Sequence, residues 1–296
     1  MVLPLKVSII LKALTPGVGL IATEVGYYWT VFFVFILGRY FLMAGGAFWL
    51  FYSALKQHLG QRFSQRRLQW SLIRQDIKLS VLSAMIFALL AALMVGVYQA
   101  GKTRIYISVG DYGWGYLGFS FVAVLVLQDT YFYFIHRWLH QPQLFRWMHA
   151  GHHRSRTPTP WTSFAFEPME AVIHSLFFIA VALLLPLHMG IFVAALMTMT
   201  VWAVVNHLGF ELVPRQAPTR WLSQWLIGPV HHTIHHRQYR VHYGLYFTFW
   251  DRVFVTTDPA YTQNYGWPQR CSVGPKTQNS LDQSRSESNQ GSESLD

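Results

Sequence analysis

The sequence has little charge and a single cysteine. Charged residues make up 12% of its 296 residues, whereas soluble domains carry about 25%. The lone cysteine, Cys271, excludes an internal disulfide and a thiolate cluster, so any metal site has to use nitrogen and oxygen ligands. With 52% hydrophobic residues, the composition indicates that water is not the only solvent of this chain.

Motifs for nucleic-acid binding are also missing. The net charge is +10, but the basic residues lie between apolar segments, so we expect membrane orientation and no nucleic-acid partner to account for it. Two glycine-rich stretches, which begin at Gly17 and Gly113, match the dinucleotide fingerprint in letters. Neither lies between the strand and helix of a βαβ unit, so we interpret both as structural.

Long apolar runs dominate the chain instead. A helix needs about 20 apolar residues to cross a bilayer. Runs of roughly this length occupy residues 27–55, 79–100, 114–135, 170–186 and 189–206, and the last two are joined by a turn. The pattern predicts an all-α fold, a multi-pass transmembrane helical bundle with four to five spans.

Charge between the runs predicts the orientation. The first connection is short and strongly basic, with one acid, Asp76, against these residues: Lys56, Arg62, Arg66, Arg67, Arg74 and Lys78. By the positive-inside rule this loop is cytoplasmic. Counting the spans puts the histidine region on the same side, together with Arg137, Arg146, Arg154 and Arg156.

The chain divides by composition into three regions. Residues 1–78 are expected to hold an N-terminal interfacial segment, the first transmembrane span and the basic cytoplasmic loop. Residues 79–260 hold the other apolar runs and 13 of the 14 histidines, and we expect them to form the functional domain. Residues 273–296 are rich in Ser, Gln, Asn and Glu and cannot bury a core, so we predict a disordered polar tail.

Histidines are concentrated in two stretches. Five of the 14 lie within residues 136–153 and five within 231–242. His136 and His140 are four residues apart, which places both rings on one face of a helix, as two ligands of one ion require. Spacings of three and one occur twice, in His149, His152 and His153 and again in His232, His235 and His236. Eight imidazoles suit two four-coordinate ions, and iron, zinc, copper and nickel all accept this ligand.

The remaining histidines are assigned less directly. His207, in Asn206-His207, follows an apolar span at the same level and is predicted to be a ninth ligand. The roles of His174 and His231 stay open between ligand, supporting group and structural residue. His242 is expected to be a surface or supporting residue, and His58 and His188 to be structural or solvated.

Two acids are candidates to orient the rings. Asp129 precedes His136 by two helical turns, so we predict that it fixes the tautomer of His136 or His140 by accepting the second N–H. A simple interfacial charge is the alternative for Asp129. Asp251 is equally compatible with such a role and with a surface pair with Arg252.

The order and spacing of these motifs resemble those of the fatty acid hydroxylase and sterol desaturase superfamily. The three histidine boxes begin at His136, His149 and His232, Asn206-His207 looks like the intermediate histidine, and residues 244–252 look like the closing segment. Glu167 departs from the pattern, because many relatives would have histidine there.

The resemblance implies a membrane-bound di-iron oxygenase. It implies two iron ions, with zinc as a possible bound species, held by His136, His140, His149, His152, His153, His207, His232, His235 and His236. The implied reaction is hydroxylation or desaturation of a lipid (sterol, fatty acyl, sphingoid or carotenoid) with O2. Two electrons would come from an external electron donor: a cytochrome, a ferredoxin or a reductase.

Two other classes of membrane protein are alternatives. A membrane metal transporter or metal-binding protein would need ionisable residues along its spans, which have few. A membrane cytochrome would place paired histidines within the bilayer, whereas here the clusters begin where the spans end.

Overall fold

The structure is a computed structural model that describes residues 16–57, 68–212, 221 and 224–261. Expectations for the first 15 residues, for His58, Arg62, Arg66 and Arg67, and for the tail at 273–296 fall outside the described residues.

Helices account for nearly all of the regular structure. The first helix is α1 (Pro16–Tyr40), which continues through a π-helical turn (Phe41–Gly45), α2 (Gly46–Trp49) and a second π-helical turn (Leu50–Ala54). The remaining helices of the described chain are α3 (Trp70–Gln99), α4 (Gly113–Leu139), α5 (Pro142–Met148), α6 (Pro168–Leu184), α7 (Met189–Asn206), α8 (Pro229–Gln238) and α9 (Phe249–Val253). Short 3-10 turns lie at Val109–Asp111, His152–Arg154 and Pro160–Phe164.

Four helical segments are long and apolar enough to cross a membrane: Thr23–Ala54, Trp70–Gln99, Gly113–Leu139 and Met189–Asn206. The fifth predicted run forms α6, which is apolar but only 17 residues long. The all-α, multi-pass fold class is therefore confirmed, with four spans by length and composition and one shorter helix.

The start of the second span corrects the sequence analysis. The helix α3 begins at Trp70 and not near residue 79, so Asp76 lies inside the helix. Asp76 is also buried. The charge pattern had instead placed it in the basic loop, as the single acid there. Its carboxylate accepts hydrogen bonds from the Ser155 and Thr162 hydroxyls, which supply the partners that a buried acid needs.

One end of the bundle is closed by a short pair of strands and apolar packing. There a short parallel pair joins β1 (Ile105–Tyr106) to β2 (Leu187–His188). A cluster of apolar side chains fills the space beside it between α4, α6 and α7: Val124, Phe177, Val181, Leu187, Ile191 and Ala195. His188 is a structural residue here, as expected, because it accepts from Gly190 N and contacts Ile107 O.

The opposite end gathers the loops that matter for the site. The Tyr52 hydroxyl donates to Leu208 O over 2.7 Å, and Arg154 donates to Gln75 Oε1 over 3.1 Å. The end of the first span, the start of α3 and the histidine region therefore lie together. A core of α1, α3 and α7 residues packs below them, with Ala84 and Ala88 allowing close helix approach.

Exposed aromatic residues mark both ends of the bundle. Trp49, Trp70 and Trp138 are exposed near the histidine end, and Tyr27, Tyr112 and Trp114 are exposed at the other. Twenty-four residues of α4 separate Trp114 from Trp138, which is about 36 Å of helix. A hydrocarbon core of about 30 Å fits between two such belts.

Candidate metal centre

The histidines of four segments of the chain lie close together. The last turn of α4 carries His136, and His140 follows as its C-cap. The segment after α5 brings His149, His152 and His153, while His207 caps the end of α7. The helix α8 presents His232, His235 and His236, with Pro229 at its start to fix the first turn.

All nine predicted ligands come together in two groups. The five-histidine group consists of His136, His140, His149, His153 and His235, and the four-histidine group consists of His152, His207, His232 and His236. Within each group the candidate ligand nitrogens all lie within 4.8 Å of one another. Each group could hold a metal ion, and that it does so stays a prediction.

Backbone carbonyls fix the tautomer of two rings in the five-histidine group. His136 Nδ1 lies 3.0 Å from Tyr243 O, and His235 Nδ1 lies 2.7 Å from Val241 O. A carbonyl only accepts, so the proton is on Nδ1 and the lone pair is on Nε2. Those Nε2 atoms are the ones that face the other rings of the group.

The four-histidine group is held in the same way by different carbonyls. His207 Nδ1 contacts Ala203 O at 2.6 Å, and His152 Nδ1 contacts Ala165 O at 3.3 Å. The two Nε2 atoms therefore both present lone pairs, 3.5 Å apart. His207 Nε2 also lies 3.0 Å from His232 Nε2.

This arrangement is chemically suited to a cation. Two lone pairs at such distances cannot hydrogen-bond to each other and would repel. Two nitrogens bound to one ion at about 2.1 Å lie roughly 3.0 to 3.4 Å apart, depending on the coordination geometry. The observed Nε2 to Nε2 separations, such as 3.2 Å between His136 and His149 and 3.1 Å between His235 and His153, match that range.

Burial favours the neutral form of rings in both groups. It lowers the pKa of His207 to about 4 and the pKa of His232 and His235 well below the ordinary value of an imidazole. The physical cause is the loss of water around the charged form, to which neighbouring histidines add for His232 and His235. Only the neutral ring has a lone pair to give to a metal.

Glu170 is the orienting acid that the sequence analysis missed. Its Oε1 lies 2.7 Å from His149 Nδ1 and 3.5 Å from His174 Nε2, and the carboxylate is fully buried. A carboxylate at that distance favours the proton on Nδ1 of His149 and turns Nε2 toward the group. An acid in the first turn of the otherwise apolar α6 was the available signal.

The prediction for Asp129 is wrong in its contacts. Asp129 contacts neither His136 nor His140; its Oδ1 accepts backbone N–H groups from Leu245, Tyr246 and Phe247 at 2.7 to 3.1 Å. It sits more than two turns below the end of α4, facing the loop and not the rings. Three N–H donors supply the partners that this buried acid requires.

Asp251 makes a similar contact from the other side. Its two carboxylate oxygens accept from Tyr243 N at 2.9 Å and from Gly244 N at 3.0 Å. Burial raises the pKa of Asp251, and these donors, together with the Thr256 hydroxyl, oppose that rise. The alternative of a surface pair with Arg252 is therefore wrong, since Asp251 is fully buried.

The other histidines stand outside the two groups. His174 stacks on Phe132 and faces Glu170, so it supports the acid. His231 Nδ1 accepts from Gly228 N at the start of α8. His242, which we expected at the surface or in a supporting position, is fully buried and accepts from Asp258 N through Nε2. The contacts of His231 and His242 are structural.

Glu167, the departure from the family pattern, lies over the second histidine box. It is the N-cap of α6, and a Cβ atom added at Gly151 would meet its carboxylate. Gly151 separates His149 from His152, so this close approach occurs between the two groups.

Comparison with known proteins agrees with the resemblance. The sequence model of the fatty acid hydroxylase family matches residues 121–256. A Delta(7)-sterol 5(6)-desaturase of Aspergillus fumigatus is 30% identical over 233 residues, 70% of this chain and 70% of the relative. Human lathosterol oxidase is 29% identical over 236 residues, covering 79% of this chain and 72% of the relative.

A Delta(7)-sterol 5(6)-desaturase of Gibberella zeae is 29% identical over 179 residues, which cover 60% of this chain but only about half, 54%, of that relative. No solved structure matches the chain. The family match spans α4 to α9 and thereby all nine clustered histidines. The chain belongs to the fatty acid hydroxylase and sterol desaturase superfamily, a group of oxidoreductases that act on lipids.

Proposed function

We propose that the protein is a membrane-bound di-iron oxygenase that hydroxylates or desaturates a lipid with O2 and two electrons from an external donor. The observation that carries the proposal is the convergence of nine imidazoles in two groups at the end of a membrane-type bundle. Each group offers four or five nitrogens, the number that one ion accepts.

Bound iron would supply the reactivity toward dioxygen and an unactivated C–H bond that no side chain has. The chain's own residues do the rest. Carbonyls at residues 165, 203, 241 and 243 hold ring protons on Nδ1, and Glu170 does the same for His149. Burial of eight of the nine rings limits the access of water to the two groups.

A sterol is the substrate that the relatives favour. Two of the relatives are Delta(7)-sterol 5(6)-desaturases and one is a lathosterol oxidase. The metal centre caps the bundle at a belt of exposed tryptophans, so an apolar substrate can reach it from the bilayer while its polar end stays in the interface.

The two candidate outcomes differ in the fate of oxygen. In hydroxylation one oxygen atom enters the C–H bond and the other leaves as water, with two electrons and two protons from outside. In desaturation both atoms leave as water, which takes up two substrate hydrogens, two electrons and two protons. Both outcomes need the same external donor of two electrons.

Exposed arginines support a cytoplasmic centre and a donor with an acidic face. Arg146, Arg154, Arg156, Arg237 and Arg240 are all exposed around the histidine end. Basic residues accumulate on the cytoplasmic side of membrane proteins, and complementary charge speeds the encounter with a partner. Cysteine labelling beside Arg154 and Arg237 in a Cys271→Ser background tests the side, and opposite accessibilities would refute the shared compartment.

The decisive experiment is turnover by the purified protein. Iron-loaded protein in bilayers, supplied with O2, a reductant system and a Δ7 sterol, should yield a product that has lost two hydrogens or gained one oxygen by mass spectrometry. The matched control replaces His232 with Gln. Iron-dependent flux into liposomes without lipid oxidation would instead support the transporter alternative.

A further inference from the structure

One loop contacts rings of the five-histidine group and is itself held by acids. This loop, residues 241–248, connects α8 to α9. Val241 O and Tyr243 O receive the ring protons of His235 and His136. The two carbonyls therefore fix which nitrogen of each ring faces the metal group.

Five consecutive backbone N–H groups of the loop donate hydrogen bonds to only two carboxylates. Asp251 accepts from Tyr243 N and Gly244 N, and Asp129 accepts from the next three residues. Both acids are at most 2% exposed. Oriented backbone N–H groups around a buried anion are strong, charge-assisted contacts.

Gly244 shows that this cradle is tightly built. A Cβ atom there would lie 2.5 Å from Phe247 O, 3.1 Å from Asp251 Oδ2 and 3.2 Å from Ile227 Cγ1. The nearest of these atoms belongs to the backbone, so the rotation of a side chain could not relieve the clash. The absence of a side chain at Gly244 lets the Asp251 carboxylate reach the backbone.

The fixed rings of the four-histidine group take their carbonyl acceptors from other segments, and the loop contacts their surroundings indirectly, through Asn206 beside His207: the Asn206 Nδ2 donates to Leu245 O. These rings, His152 and His207, contact Ala165 O and Ala203 O, which belong to the segment before α6 and to α7. The effect of the two acids should therefore be large on the five-histidine group, whose rings contact the loop directly, and small on the four-histidine group.

We propose that Asp129 and Asp251 are positioning residues which act through loop 241–248 on His136 and His235, and so control the metal affinity of the five-histidine group much more than that of the four-histidine group. The inference rests on the proposed function, because it requires that each group binds an ion. It gives Asp129 a role in the site without a contact to any ring.

The oxygens that each acid uses predict a graded response. Asp129 accepts all three N–H groups through Oδ1, so Asp129→Asn can keep the acceptor and lose only the charge. Asp251 accepts through both oxygens. In Asp251→Asn an amide NH2 group replaces one of these oxygens, so that an amide N–H would face a backbone N–H and neither could accept. Asp251→Asn should therefore be the more severe change.

The test is a competitive chelator titration of the iron-loaded protein with metal content as the readout. Wild type should hold two ions. In Asp129→Asn the affinity for one ion should fall by about 10- to 100-fold, the usual loss for a supporting group, while the affinity for the second ion should change much less. Asp251→Asn should release the same ion more readily. Glu170→Gln, which faces His149 directly, should weaken the same ion and serves as the positive control.

Asp258→Asn is the matched control. Asp258 is a buried acid next to the same region, but its carboxylate accepts from Gln238 Nε2 and Ala260 N and not from loop 241–248. Its contact with the loop is through its backbone N–H, which donates to His242 Nε2 and which the variant keeps. It should leave both ions unchanged. Hydrogen exchange provides a readout that does not depend on metal: amides 245–247 should exchange faster in Asp129→Asn while those of α8 do not.

The outcomes separate the two proposals. Wild type with fewer than two ions would overturn the proposed function and the premise of this inference. Wild type with two ions, together with an Asp129→Asn variant that loses both in parallel or neither, would overturn the inference alone. Unchanged exchange at 245–247 would also overturn it, whatever the metal content.

Discussion

The five-histidine and four-histidine groups use the same side chain but are held by different parts of the fold. In the five-histidine group His136 contacts Tyr243 O, 107 residues later in the chain, and His149 contacts Glu170 of α6, whereas His235 contacts Val241 O only six residues later. His207 of the four-histidine group contacts the carbonyl four residues earlier in the chain, and His152 contacts Ala165 O thirteen residues later. Histidine side chains of the same kind therefore differ in how far along the chain their supporting contacts lie.

Burial differs between the groups as well. All four rings of the four-histidine group are buried, whereas His140 of the five-histidine group is partly open. Phe145 and Tyr239 are the aromatic neighbours at that open edge. The five-histidine group is thus the more accessible and, by its contacts, the more easily perturbed of the two.

Ligand removal should give the largest effect and test whether the groups are separate sites. His235 Nε2 lies 3.1 Å from both His140 Nε2 and His153 Nε2, and His232 holds the equivalent position between His207 and His236. His235→Gln and His232→Gln should each lower the iron content by one ion and reduce turnover to less than about 1%, more than the loss of a supporting group. Metal analysis that still finds two ions in either variant would break the comparison.

Glu170 should give the next largest effect, confined to the five-histidine group. Glu170→Ala leaves His149 Nδ1 without its acceptor and should weaken that ion by about 100-fold, whereas Glu170→Gln keeps an acceptor oxygen and should cost about 10-fold. Chelator titration distinguishes the two ions. A variant in which the four-histidine ion is lost first would contradict the assignment.

Asp76 should be structural for both groups alike. Its carboxylate accepts from Ser155 and Thr162, which lie between His153 of one group and the Ala165 carbonyl that serves the other. Asp76→Asn should lower stability by about 1.5 to 3 kcal/mol, the scale of a hydrogen bond to a charged group, with an unchanged ratio of the two ions. Thermal unfolding in detergent measures it. Asp111→Asn, an exposed acid at the other end, should have no effect.

Gly151→Ala should be the smallest change, because the nearest atom is the end of the Glu167 side chain, which can move. Leu79, 3.1 Å from the added Cβ, is the harder contact. We expect a loss of about 1 kcal/mol in stability from overpacking, partly restored in the double variant with Glu167→Ala. Gly118→Ala, where the space is open, is the control and should be neutral or slightly stabilising.

The membrane-type bundle and the nine clustered histidines could be predicted from the sequence. Apolar runs and histidine spacings are local patterns, and the helical period converts them directly into spans and ligand faces. The predicted run at 189–206 coincides with α7, and His136 and His140 end on one face of α4 as expected. Membership of the superfamily, inferred from the order of the boxes, is confirmed by the comparisons.

The supporting contacts could not be predicted, because they depend on which distant segment lies opposite a side chain. Helical spacing alone put Asp129 on the ligand stripe, yet only the packing of loop 241–248 against α4 shows that its carboxylate ends on backbone N–H groups. The division into groups of five and four is also tertiary, since His152 and His153 are neighbours in sequence but belong to different groups. Sequence determined which residues are candidate ligands by type and spacing; the fold decided which ring faces which, because each buried polar atom must find its partner in three dimensions.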